Sequence, residues 1–183
     1  STFTENHVPK KGGAIYIQAS AVVTMTDTTF NSNHATSTSS AEAQGGAIYS
    51  AGTLTATDCQ FTSNMVVKES TGAAKGGAVY IDGASAVATF NKTENGTAKF
   101  DGNTATNWGG AIVLINTTKA NVVIDGYTFS GNVSSGDGGA IYMRYVVGAQ
   151  IKNSTFENNT GNGGGAIFAR GDGGQAQLSV EGC

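Results

Sequence analysis

The chain has 183 residues, of which only 13% are charged, and its formal net charge at pH 7 is −3. A nucleic-acid-binding surface needs clustered Lys and Arg, whereas the basic residues here are scattered, so nucleic acid is excluded as a partner. Glycine occurs 27 times and proline once. No apolar run approaches the roughly 18 residues that a membrane-spanning helix needs. The composition therefore favours a thin, repetitive β structure without a membrane-spanning segment.

A motif of two glycines, an alanine and an aliphatic residue occurs six times along the chain. Consecutive glycine pairs are 26 to 33 residues apart, and a regular period of this length is typical of solenoids and other repeat proteins. The six glycine pairs, each with its aliphatic residue, are Gly12, Gly13 and Ile15; Gly45, Gly46 and Ile48; Gly76, Gly77 and Val79; Gly109, Gly110 and Ile112; Gly138, Gly139 and Ile141; and Gly164, Gly165 and Ile167.

A second motif, Phe-x-x-Asn, alternates with the glycine motif without exception. Its six copies are Phe3 and Asn6, Phe30 and Asn33, Phe61 and Asn64, Phe100 and Asn103, Phe129 and Asn132, and Phe156 and Asn159. The runs before each Phe are rich in Val, Ile, Thr and Phe in near alternation, which favours strands over helices. The sequence therefore predicts an all-β fold, a right-handed parallel β-helix (solenoid) of about six coils. Residues 1–183 form one repeat region, and because both ends fall inside a repeat, we expect a longer polypeptide around it.

Each motif has a physical role in such a coil. A glycine pair permits positive φ and close approach of the backbone at a corner. The aliphatic residues and the phenylalanines are expected to form two internal columns, because one coil cannot bury its own apolar face. The asparagines are expected at turns, where Asn tolerates the left-handed conformation. Their amides are expected to hydrogen-bond along the axis as a ladder.

An aromatic residue follows the aliphatic residue in five of the six glycine motifs. Side chains alternate across a strand, so these rings are predicted to point away from the core, in a stripe that is interrupted at Val113. One interpretation is a contact surface for sugar rings or a partner protein. The other is that the rings lean on one another and on adjacent loops. The stripe consists of Tyr16, Tyr49, Tyr80, Tyr142 and Phe168.

Irregular spacing predicts the loops. The distance from Asn to the next glycine pair is 12 residues after Asn33 and Asn64 but only five or six elsewhere. Residues 34–44 and 65–75 are therefore expected side by side at one corner of adjacent coils. A further insertion is expected as a turn at residues 91–96.

Six Asn-x-Ser/Thr sequons occur, at Asn91, Asn95, Asn116, Asn132, Asn153 and Asn158. Such a sequon is a glycan acceptor only at the surface of a secreted protein. Asn91 and Asn95, in the expected insertion, are the strongest candidates, followed by Asn116 and Asn153. Asn132 belongs to the predicted ladder and is expected to be buried.

Catalytic chemistry has weak support in the sequence. Parallel β-helices include polysaccharide-cleaving enzymes, which need clustered carboxylates. Asp27, Asp58 and Asp125 stand three or four residues before a Phe, but aspartates at strand ends are more often turn formers. His7 and His34 lie in loops without a nucleophile at a supporting distance. Arg170-Gly171-Asp172 spells an integrin-type tripeptide that a Gly-rich chain also produces by chance. We expect no catalytic residues, no cofactor and no metal.

The alternation of Gly-Gly-Ala-Ile and Phe-x-x-Asn resembles the repeat of the chlamydial polymorphic membrane proteins. The resemblance covers essentially the whole chain, with six copies of each motif. That family is understood as secreted autotransporters whose β-helical passengers carry these repeats and act as adhesins. The resemblance therefore implies a surface-exposed, adhesive or structural β-helix.

From these observations we expect a non-catalytic extracellular or cell-surface segment that mediates adhesion or assembly into a surface filament. Its partner is expected to be a protein or glycan at a cell surface, or further copies of the chain itself. The alternative is a carbohydrate-active β-helix enzyme, which needs an acidic groove along one face.

Overall fold

The computed structural model describes residues 1–37, 40–69, 71–117, 122–171 and 176–183. In this part of the chain every regular element is a β-strand, and the strands pair in parallel with the equivalent strands of neighbouring coils. The predicted all-β class and the parallel β-helix of about six coils are confirmed. The coils stack three six-stranded sheets and two smaller ones.

The phenylalanine sheet contains the strand of each Phe-x-x-Asn motif, with Phe at its centre pointing inward. Its strands are β1 (Thr2–Thr4), β5 (Thr29–Asn31), β10 (Gln60–Thr62), β15 (Lys99–Asp101), β19 (Thr128–Ser130) and β23 (Thr155–Glu157).

The isoleucine sheet follows the glycine pairs. Its strands are β3 (Ile15–Ile17), β8 (Ile48–Ser50), β13 (Val79–Asp82), β17 (Ile112–Ile115), β21 (Ile141–Arg144) and β24 (Ile167–Arg170).

The threonine sheet, named for its outward Thr residues, completes each coil before the next phenylalanine strand. Its strands are β4 (Val22–Thr26), β9 (Thr53–Thr57), β14 (Val87–Asn91), β18 (Val122–Asp125), β22 (Ala149–Lys152) and β25 (Leu178–Glu181).

Two smaller sheets lie between the phenylalanine and isoleucine sheets. The five-stranded one contains β2 (His7–Pro9), β6 (His34–Ser37), β11 (Met65–Lys68), β16 (Thr104–Ala105) and β20 (Val133–Ser134); the two-stranded one contains β7 (Ala43–Gln44) and β12 (Ala74–Lys75). The insertions at residues 34–44 and 65–75 therefore lie side by side, as expected. They form paired strands in the described residues, because small apolar side chains such as Ala43, Val66 and Ala74 pack together beneath them.

The six motif phenylalanines stack face to face inside the β-helix. Neighbouring ring centroids lie 4.5 to 5.0 Å apart, and the ring planes differ by 4 to 6°. The aliphatic residues after the glycine pairs also pair in register from coil to coil. The structure thus places both predicted sets of residues in internal columns.

The six motif asparagines form a continuous ladder of side-chain amides. Oδ1 of Asn64 accepts hydrogen bonds from the backbone N and Nδ2 of Asn33, both at 3.0 Å. Nδ2 of Asn64 donates to Oδ1 of Asn103 and to the carbonyl oxygen of Phe30, at 3.0 Å each. The same pattern runs from Asn6 to Asn159, so the inner amides use both donors and both acceptor positions.

One detail of the predicted turn is wrong. The asparagines themselves do not take the left-handed conformation; the residue before each of them does, with φ between 53 and 62°. Because the preceding residue makes the turn, the Asn side chain is free to point along the axis. The left-handed residues are Glu5, Ser32, Ser63, Gly102, Gly131 and Asn158.

The two glycines of each pair are needed for different reasons. The first has positive φ, for example 69° at Gly45. The second lies so close to the next coil that a Cβ on Gly46 would overlap the carbonyl oxygen of Gly77, and a Cβ on Gly77 that of Gly110. A pair of glycines therefore turns the corner and lets adjacent coils approach.

Candidate functional site

The aromatic stripe, for which we left open a contact surface or rings that lean on one another, is present but mostly covered. Tyr16 is 50% exposed, whereas Tyr49, Tyr80 and Tyr142 are at most 5% exposed. The expectation of an exposed stripe is therefore wrong at these three positions, and Phe168 is half-buried against Tyr142. The rings lean on one another, with centroids 4.8 Å apart for Tyr16 and Tyr49 and 5.7 Å for Tyr49 and Tyr80.

The residues that cover the stripe immediately precede the glycine pairs. Lys11 places its Nζ 4.3 Å from the centroid of the Tyr49 ring. Lys75 places its Nζ 4.4 Å from the ring of Trp108 and pairs with the carboxylate of Glu42. Trp108 in turn stacks on Tyr142, and their ring centroids lie 4.8 Å apart. This stack lies beside Val113, the position at which the stripe has no aromatic ring. Backbone pairing at the corner brings these residues over the stripe, and the sequence pattern of the strands alone did not show this.

Burial changes the acidity of the covered tyrosines. Burial, and secondarily the nearby Asp82 carboxylate, raises the pKa of Tyr49 to about 12. The same two causes raise the pKa of Tyr80. These phenols are therefore packing groups at neutral pH rather than acids or bases.

Two of the three carboxylates that we considered for catalysis, those of Asp58 and Asp125, accept hydrogen bonds from neighbouring residues. Asp27 and Asp58 are left-handed corner residues, with φ of 48° and 53°, and Asp58 accepts hydrogen bonds from Thr93 N and Oγ1 at 2.8 and 2.7 Å. Asp125 accepts from Asn153 Nδ2 at 2.8 Å. Among the described residues, no group of three or more His, Cys, Asp or Glu could hold a metal ion.

The two histidines form a pair that the sequence did not predict. His7 and His34 stack with ring centroids 4.0 Å apart, and His7 Nε2 lies 3.2 Å from Thr36 Oγ1. Burial, and then the His7 ring, lower the pKa of His34. His7 is exposed and His34 is half-buried, so the two rings form a short aromatic stack on the outer side of the five-stranded sheet.

The sequon asparagines differ in accessibility. Asn95 is exposed in the insertion, and Asn116 and Asn153 are exposed but donate through Nδ2 to Asp82 and Asp125. Asn91 is half-buried at the end of β14. Asn132 lies in the ladder and is fully buried. Asp172 of the integrin-type tripeptide lies outside the described residues.

An open polar surface is formed by the outward side chains of two adjoining sheets. On the threonine sheet, Thr24, Thr55 and Thr89 stand in register on neighbouring strands. On the phenylalanine sheet, Asp101, Ser130 and Glu157 form an equivalent outward row. We call these two surfaces the threonine face and the polar face.

A cleft lies on the polar face. It has a volume of about 440 Å³ and is bounded by the insertion after β14 on one side. Its charged lining residues are Lys92, Lys99, Asp101 and Glu157, and Lys99 Nζ pairs with Asp101 Oδ2 at 3.2 Å. We expected a turn at this insertion but did not predict the cleft, because only the register of three coils brings its lining together.

No helix in the described part of the chain has the length and apolarity to cross a membrane. No curated protein and no solved structure matches the chain significantly. The family model described as the Chlamydia polymorphic membrane protein repeat matches residues 1–18, 27–51, 97–114, 126–144 and 153–170, which together make up more than half of the sequence. With both of its repeat motifs built into one parallel β-helix, the chain belongs to the Chlamydia polymorphic membrane protein repeat family.

Proposed function

We propose that the chain is a non-catalytic, surface-exposed β-helix segment that mediates adhesion through its threonine and polar faces. Family membership indicates a surface-associated β-helix protein. The observation that carries the adhesive role is the pair of adjoining faces, where hydroxyl and charged side chains stand in register on neighbouring strands. Because the backbone of both faces is paired between stacked coils, binding a partner there does not require a loop to be ordered.

The non-catalytic part of the proposal is supported by the contacts that the carboxylates make within the chain. Asp58 holds the insertion through Thr93, Asp125 binds Asn153, and Asp101 pairs with Lys99. Each of these contacts gives the acidic group a structural role. The enzyme alternative needs a pair of carboxylates that flank a scissile bond.

Cell binding tests the proposal. Fluorescently labelled chain is titrated onto a panel of cultured animal cells, and we expect saturable binding that excess unlabelled chain displaces. Thr55→Arg together with Thr89→Arg, which places two bulky cations on the threonine face, is expected to weaken binding. Thr160→Arg, an exposed position beside the five-stranded sheet, is the matched control and is expected to bind normally. Non-saturable binding, or equal binding by heat-unfolded chain, would contradict the proposal.

Filament assembly is a second candidate, supported by the polarity of the asparagine ladder. Each inner amide donates one Nδ2 hydrogen to the Asn Oδ1 of the C-terminal coil and the other to a Phe carbonyl oxygen of the N-terminal coil, while its own Oδ1 accepts from the N-terminal side. Any coil end that is open in the complete polypeptide would therefore be complementary to the opposite end of another copy. Sedimentation velocity over a range of concentrations tests this candidate: growth into longer species supports it, and a single monomeric species at all concentrations contradicts it.

We also propose that the chain, as part of a secreted protein, carries glycans at its accessible sequons. Asn95 is an exposed acceptor, whereas the amides of Asn116 and Asn153 bind carboxylates, so we expect Asn95 to be glycosylated before Asn116 and Asn153. Peptide mapping before and after glycan removal tests this order. A glycan on Asn153 with a bare Asn95 would overturn it.

A further inference from the structure

The insertion after β14 is a fixed rim rather than a loose loop. At the equivalent corners of other coils only two residues join the threonine and phenylalanine strands, for example Asp27 and Thr28, whereas here residues 92–98 do so. The Asp58 carboxylate anchors the rim through two hydrogen bonds from Thr93. Gly96 packs so closely on this carboxylate that a Cβ there would overlap it.

The rim and the polar face border an open cleft with balanced charge. Lys92 and Lys99 bring two cations, and Asp101 and Glu157 bring two carboxylates. The hydroxyls of Thr97, Thr128 and Ser130 stand among them. A volume of about 440 Å³ falls within the usual range of small-molecule sites, roughly 300 to 1,000 Å³.

The spacing of the carboxylates argues against a cation as the ligand. Asp101 and Glu157 are separated by the Ser130 strand, so two strand spacings of about 4.8 Å put their backbones roughly 10 Å apart. A bound Ca²⁺ needs its oxygens at about 2.3 to 2.6 Å. The cleft also has no excess of positive charge to attract a phosphate or sulfate.

We infer that this cleft binds a short segment of a neutral saccharide. Each sugar hydroxyl both donates and accepts a hydrogen bond, so it is matched by a lining that alternates ammonium and hydroxyl donors with carboxylate acceptors. Hydrogen bonds to charged groups are the stronger ones. This inference rests on the proposed adhesive function and names the site and the class of ligand.

A printed array of neutral, acidic and sulfated oligosaccharides tests the inference, followed by calorimetric titration of the strongest neutral oligosaccharide. We expect binding to neutral members. Glu157→Gln and Lys92→Gln are each expected to weaken the affinity about tenfold or more, in line with about 1.5 kcal/mol for a hydrogen bond to a charged group. Glu69→Gln and Lys68→Gln, which change the same residue types at exposed positions at and just after the end of β11, outside both faces, are the matched controls and are expected to bind as the original chain does.

A substitution in the rim tests the inference a second time without changing any residue that lines the cleft. Thr93→Val removes the Oγ1 donor to Asp58, so the rim is expected to loosen and the affinity to fall while the melting temperature of the β-helix stays nearly constant. Preference for sulfated sugars, no binding to any array member, or full affinity in both Glu157→Gln and Thr93→Val would overturn the inference.

Three outcomes separate this inference from the proposed function. If cell binding persists in Glu157→Gln while array binding is absent, the adhesive function stands and the saccharide site fails. If neither the cells nor the array is bound, both fail. Release of reducing ends from the bound oligosaccharide would make the cleft catalytic and would overturn the non-catalytic proposal.

Discussion

Asn64 and Asn103 are joined by two hydrogen bonds to one atom: the backbone N and Nδ2 of Asn64 lie 2.9 and 3.0 Å from Oδ1 of Asn103. Both residues are fully buried. A buried polar group is stable only when it is hydrogen-bonded, and this arrangement satisfies every polar atom of the inner amides. The ladder therefore fixes the register of neighbouring coils as well as stabilising the turn.

Replacing Asn64 with Asp should destabilise the fold strongly. The carboxylate would lose both Nδ2 donors and would face the oxygens of Asn103 and Phe30. We expect a loss of at least about 3 kcal/mol in the free energy of unfolding, measured by urea denaturation. Asn95→Asp, an exposed position, is the control and should change stability by less than about 0.5 kcal/mol. Equal stability of the two variants would contradict the role of the ladder.

Two glycine substitutions separate backbone conformation from coil spacing. Gly131 has φ of 60°, and a Cβ added there would meet nothing within 4 Å, so Gly131→Ala should cost only about 1 to 2 kcal/mol. Gly110 lacks room, because a Cβ would overlap the Gly139 carbonyl oxygen. Gly110→Ala should therefore be far more destabilising in the same urea measurement.

A third variant introduces a glycine at a left-handed position instead of removing one. Ser63 occupies the left-handed position with φ of 53°, where glycine is strained less than serine. Ser63→Gly should therefore leave stability unchanged or raise it by up to about 1 kcal/mol. A clear loss of stability would show that the hydroxyl matters more than the turn.

The two motifs were sufficient to predict the coil, because each motif residue has one dominant physical role. The Phe and Ile side chains are buried only when they stack in a column between coils, and a Gly-Gly pair is needed only at a tight corner. The left-handed residue was misplaced because residues as different as Glu5 and Gly102 occupy that position, so no residue type marks it.

The covered stripe and the cleft could not be predicted from strand alternation. Alternation gives the side to which Tyr80 points but not what lies against that side. Lys75 and Trp108 reach the stripe through backbone pairing at the corner, and the cleft depends on the register of Asp101 with Glu157 across three coils. Such contacts are set by the stacking of coils rather than by local sequence.

Lys75 lies over the ring of Trp108, the single tryptophan of the chain. The fluorescence of Trp108 should therefore report whether Lys75 covers the stripe. Lys75→Ala removes the ammonium over the ring and the partner of Glu42. We expect greater quenching of tryptophan fluorescence by acrylamide and a loss of about 1 to 2 kcal/mol in stability. Lys152→Ala is the control, and identical quenching in both variants would contradict the cover.

The raised pKa of Tyr49 predicts a loss of stability at alkaline pH. The phenol of the unfolded chain ionises with its ordinary pKa of 10.0, whereas burial raises the pKa of the Tyr49 phenol in the folded chain to about 12. The unfolded state therefore binds fewer protons in this interval, and the free energy of unfolding should fall as the pH rises from 10 to about 12. In Tyr49→Phe this fall should be smaller, as measured by urea denaturation at several pH values; an unchanged fall would exclude Tyr49 as its source.

Surface labelling tests the central claim most directly. Thr55→Cys places a thiol on the threonine face, and a membrane-impermeant maleimide is applied to intact cells that produce the protein. The variant also carries Cys183→Ser, because Cys183 is an exposed free thiol, and the buried Cys59 is the internal control that should stay unlabelled while the fold is intact. A surface-exposed β-helix predicts that the thiol at position 55 is labelled on intact cells as fully as after lysis. Labelling of this thiol only after lysis would contradict it.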